Sequence, residues 1–480
     1  MKLRVFLLIF ALVWRPASGQ DLPDLGDSSQ VLLSPAQELM FGKSIMAQIR
    51  SSPGYMDDPD VADYLNQVGY TLVSNSPDPG GHFEFFAVND KSINAFALPG
   101  GFIGVNTGLI LSAQSESELT GVMGHEIAHV TQHHIARMMV VQKQNRLASL
   151  AGLAVAILAA RSNAQLSQAA IAASQAAPLQ SQLNFSRNNE READRIGLQI
   201  QEKSHYDVHA VPSFFERLQR ASQIYQGGAP SYLRTHPLTF ERIADVESRV
   251  SEMPYRQVPD SLSFQLVRAR LTALDGSPSD AVATFKDRID QKKYANELAP
   301  RYGYVVAVLR ENEPSAPELD TAGENVRILL AKAPEDPMIL ALAAKYQVRS
   351  GQLEEGLATY RKGLQRFPTR RSLMYGYATA LFNSGQMEKD AQFLEECIAR
   401  IDTDPYLFEL KAQAHQALGQ HLSQHRALAE SLLLKGNLRA AIEQLRLAQA
   451  SDDGDFYERS SVDARLRELT AFDAQLRREN

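Results

Sequence analysis

Cysteine is almost absent from this chain: Cys397 is the single one in 480 residues. One thiol excludes an internal disulfide. It also excludes zinc sites built on two or more cysteines, so any metal must be held by histidines and carboxylates. Tryptophan is as scarce, with Trp14 the only one. An excess of basic charge is missing too. The formal charge is −7 and the pI about 5.9, which excludes a broad basic face for nucleic acid. No apolar run reaches the roughly 20 residues that a bilayer-crossing helix needs. With 44% hydrophobic and 22% charged residues the chain is neither disordered nor fibrous, and its length accommodates two or three domains.

What is present begins with "MKLR", basic, then the apolar "VFLLIFALVW", then "RPASG", ending in small residues. That is the pattern of a bacterial export signal, and cleavage is expected after Gly19. The alternative, a membrane anchor, is disfavoured by the shortness of the apolar run. No cysteine sits at the cleavage site, so a lipid anchor is not expected. Loss of Lys2, Arg4 and Arg15 takes the charge from −7 to −10, and Trp14 leaves with them.

The remainder is expected to be mainly α with a small sheet. In "SPAQELMFGKSIMAQIR", Ser34 is placed to cap a helix that starts at Pro35. "HFEFFAVND" alternates as a strand, and "NAFALPGGFIGVNTGLI" reads as strand, Pro-Gly-Gly turn and strand. Residues 115–140 read as helix. Residues 147–183, rich in Ala, Gln and Ser, admit a buried helix pair, a mobile lid or a segment making peripheral membrane contact; the helix pair is preferred. After about residue 255 the character changes. Gly351, Gly385 and Gly419 recur every 34 residues between alanine-rich helical stretches, the period of tetratricopeptide repeats. Gly276 and Gly436 sit in similar turns, giving four to six repeats. The expected division is 1–19 signal peptide, 20–255 a first globular domain, 256–480 repeats. Cys397 falls at a small-residue position of a repeat and reads as core rather than nucleophile.

Chemistry concentrates in "GVMGHEIAHV", residues 121–130. On a helix, His125 and His129 are four residues apart and share a face, so both can hold one metal ion. Glu126 lies beside that face, placed to take a proton from water at the metal. The flanks are apolar, and a buried histidine pair with a carboxylate is costly unless a partner such as a metal satisfies it. His133 and His134 read as surface or supporting residues, although His133 also faces roughly the same way. A catalytic zinc site usually has three protein ligands. "NNEREADRIGL", residues 188–198, offers Glu190 as the third, with Asp194 one turn on to fix a histidine tautomer. A solvated charged face is the plainer reading of that segment taken alone.

"HEIAH" followed some sixty residues later by "NEREADRIG", with "NAFALPGGFIGVNTGLI" before it, resembles the gluzincin metallopeptidases related to the prenyl-protein endopeptidase and the heat-shock membrane protease. The resemblance implies a zincin-type metallopeptidase domain followed by an α-solenoid of repeats. It implies one Zn²⁺ per chain on His125, His129 and Glu190, with Glu126 as general base. In "THPLTFERIAD" it marks His236 as a residue that approaches the metal, capping it at rest or stabilising the oxyanion, and Arg242 as a supporting residue. It further implies protein substrates, with outer-membrane β-barrel proteins as clients, and outer-membrane assembly machinery as partner of the repeats. The competing class is a periplasmic chaperone or scaffold that does not cut. Glu126 argues against it, because a purely structural zinc site needs no base.

Overall fold

The computed structural model describes residues 34–141, 187–224 and 231–479. The export signal and the segment 147–183 lie outside the described residues. Helix α1, Pro35–Arg50, starts at Ser34, whose hydroxyl accepts from Gln37 N while the Gln37 side chain returns to Ser34 N. That reciprocal cap satisfies two amides that a helix start leaves open. In α2, Pro59–Val73, the carboxylate of Asp58 accepts from both Asp60 N and Val61 N.

Strands β1, Glu84–Val88, β2, Ala95–Leu98, and β3, Phe102–Asn106, form one sheet in the order β1-β3-β2. β1 runs parallel to β3 and β2 antiparallel to it. The β2–β3 turn needs glycine: Gly101 has φ +82°, and a Cβ there would lie 1.7 Å from His82 O. The alternation in "HFEFFAVND" separates two cores rather than core from solvent. Phe86 and Val88 join Ile45, Met46 and Ile49 of α1, whereas Phe85 and Ala87 join the larger core that includes α2. The sheet is thus covered on both sides.

After α3, Thr107–Ser112, comes α4, Glu116–Thr131, capped by Ser115. The stretch expected as one helix over 115–140 is two. His133 takes φ 51°, and α5, His134–Val141, begins after it. Then follow α6, Arg187–Lys203, α7, Ala210–Ile224, α8, Ser231–Thr235, and α9, Phe240–Ser251.

The rest of the described chain is helical: α10 Leu262–Leu274, α11 Pro278–Asp290, α12 Leu298–Val308, α13 Ala316–Lys332, α14 Pro337–Arg349, α15 Leu353–Arg366, α16 Arg371–Asn383, α17 Met387–Ile398, α18 Pro405–Ala417, α19 His421–Leu434, α20 Leu438–Ala450 and α21 Phe456–Glu479. The α14–α15, α16–α17 and α18–α19 pairs are each joined by a short turn whose glycine, Gly351, Gly385 or Gly419, has φ between +70° and +82°. This is a stack of tetratricopeptide-like helix pairs in which each pair buries its neighbour's apolar face. Cys397 is fully buried, and burial pushes its thiol up to about 12, so it is not a nucleophile. The large core runs without a break from Val61 in α2 to Ala343 in α14, so the first repeats share a hydrophobic interior with the segment that carries the histidines.

Candidate metal centre

The centre is built where α4 and α6 touch backbone to backbone. A Cβ on Gly197 would lie 2.9 Å from His125 N and 3.1 Å from Gly124 C, so only hydrogen lets the helices approach this closely. At that crossing α4 presents His125, Glu126 and His129, while α6 presents Glu190 and Asp194. The α8–α9 connection adds His236, and the first turn of α9 adds Arg242. All seven side chains are buried.

His125 Nε2 lies 3.0 Å from His129 Nε2 and 3.3 Å from His236 Nδ1. Glu190 closes the group: its carboxylate is 3.6 Å from His125 Nε2, 3.6 Å from His129 Nε2 and 3.1 Å from His236 Nδ1. Ligands held at 2.0–2.1 Å from a tetrahedral ion stand about 3.3 Å apart. These five edges lie at 3.0–3.6 Å, near that spacing, and the four candidate ligand atoms of His125, His129, Glu190 and His236 all lie within 4.8 Å of one another, so the group can close on one ion.

The charges agree. With the histidines neutral, as metal ligands must be, the carboxylates of Glu126, Glu190 and Asp194 face one guanidinium, Arg242, and a divalent cation would cancel the remaining negative charge; without an ion, a proton on His125 covers part of it. Burial opposes a charge on His125, yet Asp194 and Glu190 outweigh it and raise its pKa to about 10. Burial alone would push the Glu190 carboxyl up, but His236 and His125 hold it well below the usual carboxylate range. His129 is driven down, first by burial and then by the charge on His125.

Around the cage, Asp194 Oδ1 lies 2.9 Å from His125 Nδ1, off the line of a straight hydrogen bond. Arg242 donates to both Asp194 oxygens at 2.8 Å, reaches Glu190 Oε2 at 2.8 Å and donates to Pro237 O at 2.9 Å. It is an internal tie between the loop that carries His236 and the helix that carries Glu190, not an ion pair at the surface. Tyr232 stacks on His236 with ring centroids 4.9 Å apart. Glu126 Oε1 is buried and has no hydrogen-bond partner among the described residues; His236 Nε2 lies 3.4 Å away. One contributor is not evident from the sequence: Tyr232 belongs to a stretch with no motif. Of the two histidines read as surface or supporting, His134 rather than His133 lies against the cage, its Nδ1 2.8 Å from His129 Nδ1. Burial lowers the His134 pKa to about 4 despite its bond to Glu192.

A buried cage of histidines and a carboxylate beside a second buried glutamate defines a metallohydrolase, and comparison with known proteins narrows the class. Residues 59–250 match the model of peptidase family M48. The chain is 32% identical over 455 residues to the beta-barrel assembly-enhancing protease of Escherichia coli O157:H7, covering 94% of this chain and 92% of that protein. It is also 32% identical over 452 residues to the putative beta-barrel assembly-enhancing protease of Vibrio cholerae, covering 94% and 92%. A shorter match, 29% over 190 residues, links it to the mitochondrial metalloendopeptidase OMA1 of Schizosaccharomyces pombe, covering 39% of this chain and 53% of that one. The chain is an M48 metalloprotease and belongs, within that class, to the family of beta-barrel assembly-enhancing proteases.

Proposed function

We propose that this chain is a periplasmic zinc endopeptidase that cuts unfolded or misassembled outer-membrane β-barrel clients, with residues 20–255 carrying the chemistry and 256–480 holding clients or assembly machinery. The observation that carries this reading is the pairing of the four-residue cage with Glu126, a buried carboxylate whose Oε1 has no hydrogen-bond partner among the described residues and faces His236 Nε2 at 3.4 Å. His125, His129 and Glu190 would hold the ion, Asp194 would orient His125, and Arg242 would hold Asp194 and Glu190 in place. Bound zinc would supply Lewis acidity toward the scissile carbonyl and toward a water. Glu126 then takes the proton from that water and delivers it to the departing amine. His236 Nδ1 lies 3.1 Å from Glu190 and 3.3 Å from His125 Nε2, so His236 would either cap the ion at rest or, displaced from it, stabilise the developing oxyanion.

β2 is an edge strand of the sheet and packs beside α4. An extended substrate segment adding to it would bring its backbone past the metal helix, with selection for unfolded chain rather than for sequence. No described helix is long and apolar enough to cross a membrane. The chaperone reading is favoured by one observation, that His236 belongs to the cage. Glu126→Gln separates the two. It is expected to keep metal and fold and to reduce cleavage of an unfolded β-barrel protein by about 10²- to 10⁴-fold. Undiminished cleavage would remove Glu126 as base. Full rescue of outer-membrane assembly by the inactive variant would make binding the main task.

A further inference from the structure

His129 has two ring nitrogens, and only Nε2 faces the cage. Its Nδ1 meets His134 Nδ1 at 2.8 Å, and the two rings stand edge to face with centroids 4.8 Å apart. On its far side His134 Nε2 lies 3.1 Å from Glu192 Oε2, which also accepts from Arg137 Nη2 at 3.3 Å. The His134 side chain is fully buried, whereas Glu192 is 39% exposed. A file of groups therefore runs from the cage to the surface and ties α4, α5 and α6 together. The left-handed residue His133, φ 51°, separates α4 from α5, and His134 at the start of α5 meets His129.

Hydrogen counting permits one arrangement when His129 Nε2 keeps its lone pair for a metal. Nδ1–H of His129 donates to His134 Nδ1, and the single proton of a neutral His134 then sits on Nε2 and is donated to Glu192. We infer that His134 is a positioning residue for the metal ligand His129, a neutral imidazole relay that fixes its tautomer and ring angle and transmits the charge of Glu192 to it. The inference rests on the proposed role of His129 as a ligand. His125 faces a carboxylate directly, and His129 is served through His134, so α6 braces both histidines from behind. A histidine that merely filled the core would need no donor–acceptor sequence in this order. Glutamine preserves the order, since its carbonyl accepts and its amide donates.

The test is Zn²⁺ affinity of the full chain, measured by competition with a chelating dye, alongside thermal unfolding of the metal-free protein. His134→Ala is expected to weaken Zn²⁺ binding about 10- to 100-fold, His134→Gln to recover most of that loss, and Glu192→Gln to weaken binding about threefold or more. An alanine variant within twofold of the unmodified chain, or a glutamine variant as weak as alanine, overturns the relay. Should His134→Ala not fold, the half-exposed Glu192→Gln decides alone, and unchanged affinity overturns the inference. Failure of the unmodified chain to bind Zn²⁺ would instead sink the proposed function.

Discussion

Arg242 shows how one residue holds the site together. Its guanidinium bridges Asp194 and Glu190, and its remaining donor caps Pro237 O next to His236. Arg242→Ala leaves two buried carboxylates without their cation, which costs about 3–5 kcal/mol. Urea unfolding of the metal-free chain at neutral pH measures this. Arg242→Lys keeps the charge but loses the fork, so it recovers only part; a loss under about 1 kcal/mol in the alanine variant would show that the tie is dispensable. At this scale the sequence was most legible where geometry is local. His125 and His129 share a face because a helix repeats every 3.6 residues, and Glu190 and Asp194 share one for the same reason. It was least legible where the partner is remote. Arg242 meets Asp194 across 48 positions, and His134 meets His129 just past a left-handed residue that no propensity announces.

Among the elements, the crossing of α4 and α6 sets the cage. Gly197→Ala would place a methyl 2.9 Å from one backbone atom and 3.1 Å from another, and backbone cannot swing away as a side chain can. The helices must part, taking Glu190 and Asp194 with them. Zn²⁺ affinity is expected to fall about tenfold or more while helix content holds. Gly351→Ala is the matched control. Its φ of +82° makes it strained, but nothing lies within 4 Å, so it should cost about 1 kcal/mol and leave metal binding unchanged. Equal effects of the two on affinity would deny the crossing its role. The repeat turns were readable because Gly351, Gly385 and Gly419 recur at a fixed period and each takes a positive φ. The helix break at residues 132–133 was not, because apolar residues continue across it. In "HFEFFAVND" the unbroken apolar run Phe85–Val88 is what a strand covered on both faces shows, but nothing in it tells that the second cover is α1.

At the scale of the molecule, the start of the described chain is clasped by its later repeats. The first turns of α2 carry Asp58, Asp60 and Asp63. Arg270 of α10 donates to Asp58 at 2.7 Å and pairs with Asp60 at 3.3 Å, while Arg370 reaches Asp60 at 3.4 Å and Arg371 reaches Asp63 at 3.1 Å, some 310 positions along. Further on, the Gly436 turn rests against Ala47 of α1. The acids suit a helix N-terminus, and the arginines neutralise what that end alone would leave charged. Arg270, Lys345, Arg349 and Tyr360 are among the residues lining an open cleft of about 540 Å³ beside this clasp. Asp60, 3% exposed, joins both sides, so Asp60→Asn should loosen the grip of α16 on α2 at a cost of about 3 kcal/mol. Amide exchange reads this directly: protection should drop in α2 and α16 together, well before α18–α20. High salt should matter little in the unmodified chain, because buried pairs are poorly screened. Zn²⁺ affinity should stay the same, since the clasp lies apart from the cage. Unchanged exchange in α16 would mean that the shared core from Val61 to Ala343, rather than the ion cluster, holds the repeats against the protease.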